Sequence, residues 1–162
     1  MAYHPLTEKI QNILKDRGFE FETFEHEPVR TSEEASKLRH GYKIEQGAKS
    51  IIVRVKKAGE GKSFAMFVLQ GNKKFNKEKL KNNFGLTDVR FATEEEVFKI
   101  TDGVLVGGVP PFGNLFGLPV YADYGLLENE RIVFNAGDKS FSIGMKTVDY
   151  VSVVNPIKGD IV

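Results

Sequence analysis

The stretch "DGVLVGGVPPFGN", Asp102 to Asn114, restricts the fold more than any other part of the chain. Val109 and Pro110 each precede a proline, so both are held in extended geometry. Neither proline carries an N–H, which rules out helix and bars the segment from the middle of a sheet. What remains is a stiff extended rod with amide donors only at its ends, at Gly107 and Gly108 before it and at Phe112 and Gly113 after it. The two leading glycines admit positive φ and allow a close approach by another group. Two uses fit this chemistry. The rod and its flanking amides can cup a small polar group such as a carbonyl or an amine. Equally, the glycines can bend a strand at a tight barrel corner while the prolines block edge pairing. Composition leaves both open.

The rest of the chain alternates short helices with strands. Ile10, Ile13 and Leu14 give a helix from about Leu6 to Asp16, closed by Gly18. Phe19, Phe21 and Phe24 near-alternate with polar residues, as a half-buried strand does. Thr31-Ser-Glu-Glu34 and Thr93-Glu-Glu-Glu96 have the spacing of capping boxes. "AKSIIVRV" (Ala48–Val55) and Phe64–Leu69 flank Gly59-Glu-Gly61 and predict a hairpin. Asn76 caps a helix through Phe84, with Gly85 behind it. "LPVYAD", "RIVFNAG" and "FSIGM" predict three more strands, and "TVDYV" a terminal helix or half-turn. The fold class expected is α+β, a mixed, barrel-like curled sheet surrounded by short helices, in a single domain over 1–162. Neither an internal repeat nor a linker interrupts it.

Net charge is +1 and cysteine is absent, so the chain offers no thiolate nucleophile, no disulfide frame and no overall polycation. No apolar run approaches the ~20 residues of a membrane helix, and Met1–Pro5 lacks a signal-peptide core. A cytoplasmic protein is expected. His4, His26 and His40 form no pair with metal-ligand spacing, so neither a metal nor another cofactor is assigned. His4 is expected in a loose terminus, His40 in a loop, and His26 either at a pocket mouth or as a hydrogen-bonded structural group.

Lys49 has two readings. An exposed strand lysine protects a sheet edge. Yet Lys49 heads the period-two row Ile51, Val53, and a cation aligned with a buried face needs a partner or a task. Ser50 points to the opposite face and has no G-x-S-x-G context or His–Asp support, so it is no serine nucleophile. The segment "NKKFNKEKLKNN" (Asn72–Asn83) carries five lysines. It reads either as a phosphate-binding patch, extended by Arg54, Lys56 and Lys57, or as a solvated helix face.

Taken in order, "FEHEP", "GAKSIIVR", "GGVPPFG", "LPVYAD", "FNAG" and "TVDYV" resemble the YbaK/prolyl-tRNA synthetase-associated domain family over nearly the whole chain. The resemblance implies one pocket at a barrel mouth and hydrolysis of the ester joining a wrong amino acid to the terminal adenosine of a tRNA. It places the family's lysine at Lys49 and its glycine–proline loop at Gly107, Gly108, Val109, Pro110, Pro111, Phe112 and Gly113. Amides of Gly107 and Gly108 would stabilise the carbonyl oxygen, Lys49 would meet phosphate or developing charge, and water would attack. Phe24, Thr31, Ser50, Asp123, Asn135 and Gly137 fall in its substrate-binding segments. Alternatives stand beside these: core for Phe24, an N-cap for Thr31, and loop fixation for Asp123. Some relatives carry a histidine near Asn135, and its absence here puts the edited amino acid in doubt.

The function expected is therefore a stand-alone deacylase of mischarged tRNA. Its partners would be the tRNA acceptor end and, in one version, a synthetase. The alternative is a non-catalytic module binding tRNA, a nucleotide or a synthetase through the same pocket. At 162 residues the chain is too short for a whole prolyl-tRNA synthetase.

Overall fold

The computed structural model describes residues 3–28 and 32–162. Helix α1, Pro5–Asp16, opens on a proline, whose missing N–H costs nothing at that position. His4 is no loose end. Its Nδ1 accepts the Leu6 N–H at 3.1 Å, and its Nε2 meets the Asp102 carbonyl at 2.8 Å, tying the helix start to the glycine–proline loop. Strand β1 is Phe21–Glu25 and α2 is Ser32–Leu38. The expected capping box of α2 begins at Thr31, outside the described residues.

β2 (Ala48–Lys57) and β3 (Lys62–Gln70) form the expected antiparallel hairpin. α3 (Lys77–Phe84) starts under Asn76, whose side chain accepts two helix N–H groups, and stops at Gly85 in the left-handed region. β4 (Leu86–Phe91) follows, then α4 (Glu94–Ile100), where Thr93 and Glu96 make the reciprocal capping box. Past the glycine–proline loop come β5 (Val120–Asp123), the one-turn α5 (Tyr124–Leu127), β6 (Arg131–Asp138) and β7 (Phe141–Lys146). The chain continues through α6 (Thr147–Val154) and β8 (Ile157–Gly159).

These strands build the expected α+β architecture as two sheets rather than one closed barrel. One is antiparallel, in the order β1-β7-β6. The other is mixed, in the order β4-β2-β3-β5-β8, with β5 parallel to both of its neighbours. A single parallel bridge, Gly47 to Val133, joins the two. Alternation divides β2 and β3 between two cores. Ala48 and Ile52 of β2, with Met66 and Val68 of β3, pack into the main core beside Leu14, Phe112, Phe134 and Tyr150. Val53 and Val55, with Ala65 and Phe67, pack on the other face against Leu80 and Tyr121. The larger sheet is thus covered on both sides, which makes it a rigid support for the end of β2.

Candidate active site

Where Gly47 bridges to Val133, the two sheets meet and a cavity of about 200 Å³ opens. Lys49 and Ser50 at the start of β2 line it, as do Gly107 and Val109 of the loop, Asn135 of β6, and Arg39 and Lys43 after α2. It wraps the first residues of β2, so side chains from opposite faces of that strand both reach it.

The two glycines of the loop do different things. The Gly108 N–H donates to the Leu105 carbonyl at 2.9 Å, closing a turn whose third residue, Gly107, has φ +94°. A type II turn requires glycine there. The Gly108 carbonyl accepts from Gly137 N–H at 2.8 Å, and a Cβ on Gly108 would lie 3.3 Å from the Asp138 backbone. Gly108 is therefore glycine so that β6 can pass against it. Its amide is engaged and does not line the cavity, which corrects the donor pair expected from sequence. Gly107 and Val109 do line it, and among the described residues neither amide has a hydrogen-bond partner. Val109 precedes proline and is extended, so its N–H lies along the same edge as its carbonyl. That carbonyl accepts the Ser50 hydroxyl at 2.5 Å, which directs the edge toward the cavity. Gly108 answers to the corner reading, packed against β6, while Gly107 and Val109 border the cavity.

Lys49 lies half-buried at the head of the row Ile51, Val53, Val55. Burial pulls its pKa below that of a free lysine, and the charge of Lys74 pulls it further down. Lys74 belongs to the turn after β3, so one member of the basic segment acts electrostatically on the site. A lowered value means that the ammonium releases its proton at a lower pH than other lysines do. In a ¹³Cε-lysine NMR titration, the Lys49 resonance is expected to move first, and Lys74→Gln to shift its midpoint upward. An unchanged midpoint in that variant would separate the two charges.

Arg39 was not singled out in the sequence. Its guanidinium is buried, and burial pulls its pKa down to about 10, leaving it charged at neutral pH. Nε donates to Ser142 Oγ at 3.0 Å and Nη2 to Asn135 Oδ1 at 2.8 Å. Ser142 Oγ also lies 3.1 Å from Asn135 Oδ1 and 2.8 Å from His26 Nε2. Held in that orientation, Asn135 turns its amide outward, and Nδ2 donates to the Gly107 carbonyl at 2.7 Å. Arg39 thus fixes the loop through Asn135. His26 supports the network from behind and is absent from the cavity lining, as the structural reading of that residue expects.

Other residues taken from the resemblance stand elsewhere. Pro110, Pro111, Phe112 and Gly113 are buried in the core and line no part of the cavity. Phe112 packs tilted against Phe134 and edge-on against Tyr150, and Tyr150 Oη donates to the Pro111 carbonyl at 2.6 Å. Phe24 lies on β1, opposite Ser142 in register, with its ring edge-on to Tyr42. Asp123 is buried and accepts from Gly125 and Ile161 N–H groups, so it ties down the C-terminal segment. Gly137, at φ +97°, serves the β6 backbone against Gly108 and α1. Thr31 lies outside the described residues. Among those residues, no cluster of three His, Asp or Glu is placed to hold a metal ion.

Comparison with known proteins identifies the family. The aminoacyl-tRNA editing domain matches residues 26–153. The multifunctional Ser/Thr-tRNA deacylase ProXp-y of Escherichia coli K12 is 30% identical over 150 residues, covering 92% of this chain and 88% of that protein. The proline–tRNA ligase of Sulfurihydrogenibium is 38% identical over 82 residues, 51% of this chain but 14% of the ligase. A crystal structure of a protein proposed as a trans-editing enzyme for prolyl-tRNA synthetase superposes with a TM-score of 0.82 at 25% identity, covering 99% of this chain and 98% of that one. With fold and sequence in accord, the chain belongs to the aminoacyl-tRNA editing domain family.

Proposed function

We propose that this chain hydrolyses the ester of mischarged aminoacyl-tRNA in the cavity between Lys49 and the Gly107–Val109 turn. The observation that carries the proposal is that Gly107 and Val109, whose backbone amides have no partner among the described residues, line a cavity together with a half-buried lysine. Amides fixed before the substrate arrives stabilise negative charge at the carbonyl oxygen without reorganising. Water attacks the acyl carbon, and the ribose oxygen leaves with a proton. Ser50 is no nucleophile, because its proton is directed at the Val109 carbonyl and no histidine lines the cavity.

A volume of about 200 Å³ lies below the roughly 300–1,000 Å³ of pockets for drug-sized ligands, so it suits a small acyl group with the adenosine outside. Seryl and threonyl esters are the first substrates to test, since the E. coli relative is named for them. The partner required is the acceptor end of a tRNA, met by Lys49, with the charge of Lys74 acting on the same site. No described helix is long and apolar enough to cross a membrane.

The test is deacylation of seryl-, threonyl-, alanyl- and cysteinyl-tRNA by the wild type and by Lys49→Ala. Wild-type turnover of at least one ester is expected. The variant should lose about 10- to 100-fold in kcat/KM, the worth of one charge-assisted contact of about 1.5–3 kcal/mol. Binding of tRNA without turnover would instead make the chain a recognition module.

A further inference from the structure

The cavity has donors in excess and few acceptors. Arg39, Lys43 and Lys49 bring three cations to it, and no Asp or Glu stands among the described lining residues. Its neutral groups are turned the same way. Asn135 Oδ1 already accepts from Arg39 and lies against Ser142, leaving the amide nitrogen toward the loop. The Gly107 carbonyl is taken by Asn135, and the Val109 carbonyl by Ser50. Among the described residues, the open N–H groups are those of Gly107 and Val109, the Lys49 ammonium, and the Arg39 Nη1 that faces Gly47. Ser50 Oγ, which donates to Val109, keeps lone pairs to accept with.

Such a lining suits oxygen acceptors, namely an ester carbonyl, a hydroxyl or a phosphate. It is poorly suited to an α-ammonium group. An ammonium carries three donors and a positive charge, and buried charges are tolerated when paired. Here it would meet three like charges and, among the described lining residues, no carboxylate, with the loop carbonyls of Gly107 and Val109 already taken. An aminoacyl ester can still enter as the free amine, because an α-amino group ionises at about pH 7.7–8.0.

Resting on the deacylase reading, we infer that recognition does not depend on the α-nitrogen, and that the site also hydrolyses 2-hydroxyacyl esters of the tRNA 3′ end. In that reaction the bond from water oxygen to the acyl carbon forms and the bond from acyl carbon to ribose oxygen breaks. One water proton passes to the leaving oxygen. The products are a 2-hydroxy acid and uncharged tRNA, with no change of oxidation state.

The experiment compares seryl-tRNA with the glyceryl-tRNA made from it by nitrous acid deamination. Each rate is expressed as the acceleration over the uncatalysed hydrolysis of the same ester, because the two differ in intrinsic reactivity. At about pH 8, where much of the seryl amine is free, accelerations within tenfold of one another are expected. Between about pH 6 and 8 the seryl ester should be accelerated increasingly as its amine loses a proton, while the glyceryl ester shows no such rise. Loss of more than tenfold for the glyceryl ester, with seryl-tRNA still hydrolysed, would overturn the inference and leave the deacylase standing. A seryl acceleration that is flat across this range would overturn it too. Acceleration of neither ester would overturn both.

Discussion

Replacing Val109 with proline is expected to lower kcat for ester hydrolysis by roughly 10²–10³-fold, the usual effect of removing one oxyanion-stabilising donor. The substitution removes the N–H and keeps the extended backbone, while the proline ring replaces a side chain packed in the core, so the variant's melting point is checked beside its kcat. Val109 already sits before a proline, in geometry that proline itself adopts. Its N–H has no partner among the described residues, so no structural hydrogen bond is lost, and its carbonyl remains available to Ser50. The effect should fall on kcat rather than KM, because the amide acts most strongly on the oxygen as negative charge develops there. Gly108→Ala is the control. Its amide is engaged with Leu105, and the added Cβ would crowd the Asp138 backbone, so that variant should lose stability first. Equal kcat for wild type and Val109→Pro, measured under single turnover, would remove the loop amide from the chemistry.

That assignment differs from what the sequence suggests, for a physical reason. Local signals were readable: the Asn76 cap with Gly85, the Thr93–Glu96 box and the β2–β3 hairpin depend on neighbours a few residues apart. Lys49 was readable because a charge interrupts an apolar row. β4 escaped notice because only Leu86 and Val89 of its six residues are buried, as expected of an edge strand. β8 is three residues long and gains its place only by lying beside β5. Arg39 could not be found locally. It follows a short helix like many surface arginines, and its role comes from Asn135 and Ser142, 96 and 103 residues away. The same holds for the glycine pair. Composition shows that both are permissive, but only the folded turn, in which the Gly108 amide meets Leu105 while its carbonyl accepts from Gly137, reveals which amide is closed off and which is left open.

The rod itself is held from beneath, and this gives the largest stability effect expected in the molecule. Tyr150 is fully buried, packs edge-on against Phe112, and donates its hydroxyl to the Pro111 carbonyl at 2.6 Å. Burial pushes its phenol well above the ordinary tyrosine range, so the donor is present at every working pH. Pro111 is buried, and among the described residues its carbonyl has no other hydrogen-bond partner. Tyr150→Phe keeps the ring and orphans that carbonyl, which should cost about 1–3 kcal/mol. Tyr150→Ala also empties the aromatic cluster and should cost about 3–5 kcal/mol, as large buried aromatics do. For a domain of this size, each kcal/mol should lower Tm by roughly 2–4 °C. Because the Pro111 carbonyl lies two residues beyond the Val109 amide, Tyr150→Phe should also lower kcat severalfold, at temperatures where the variant is fully folded. A Tyr150→Phe protein with wild-type urea midpoint and wild-type kcat would mean that the two prolines stiffen the loop unaided.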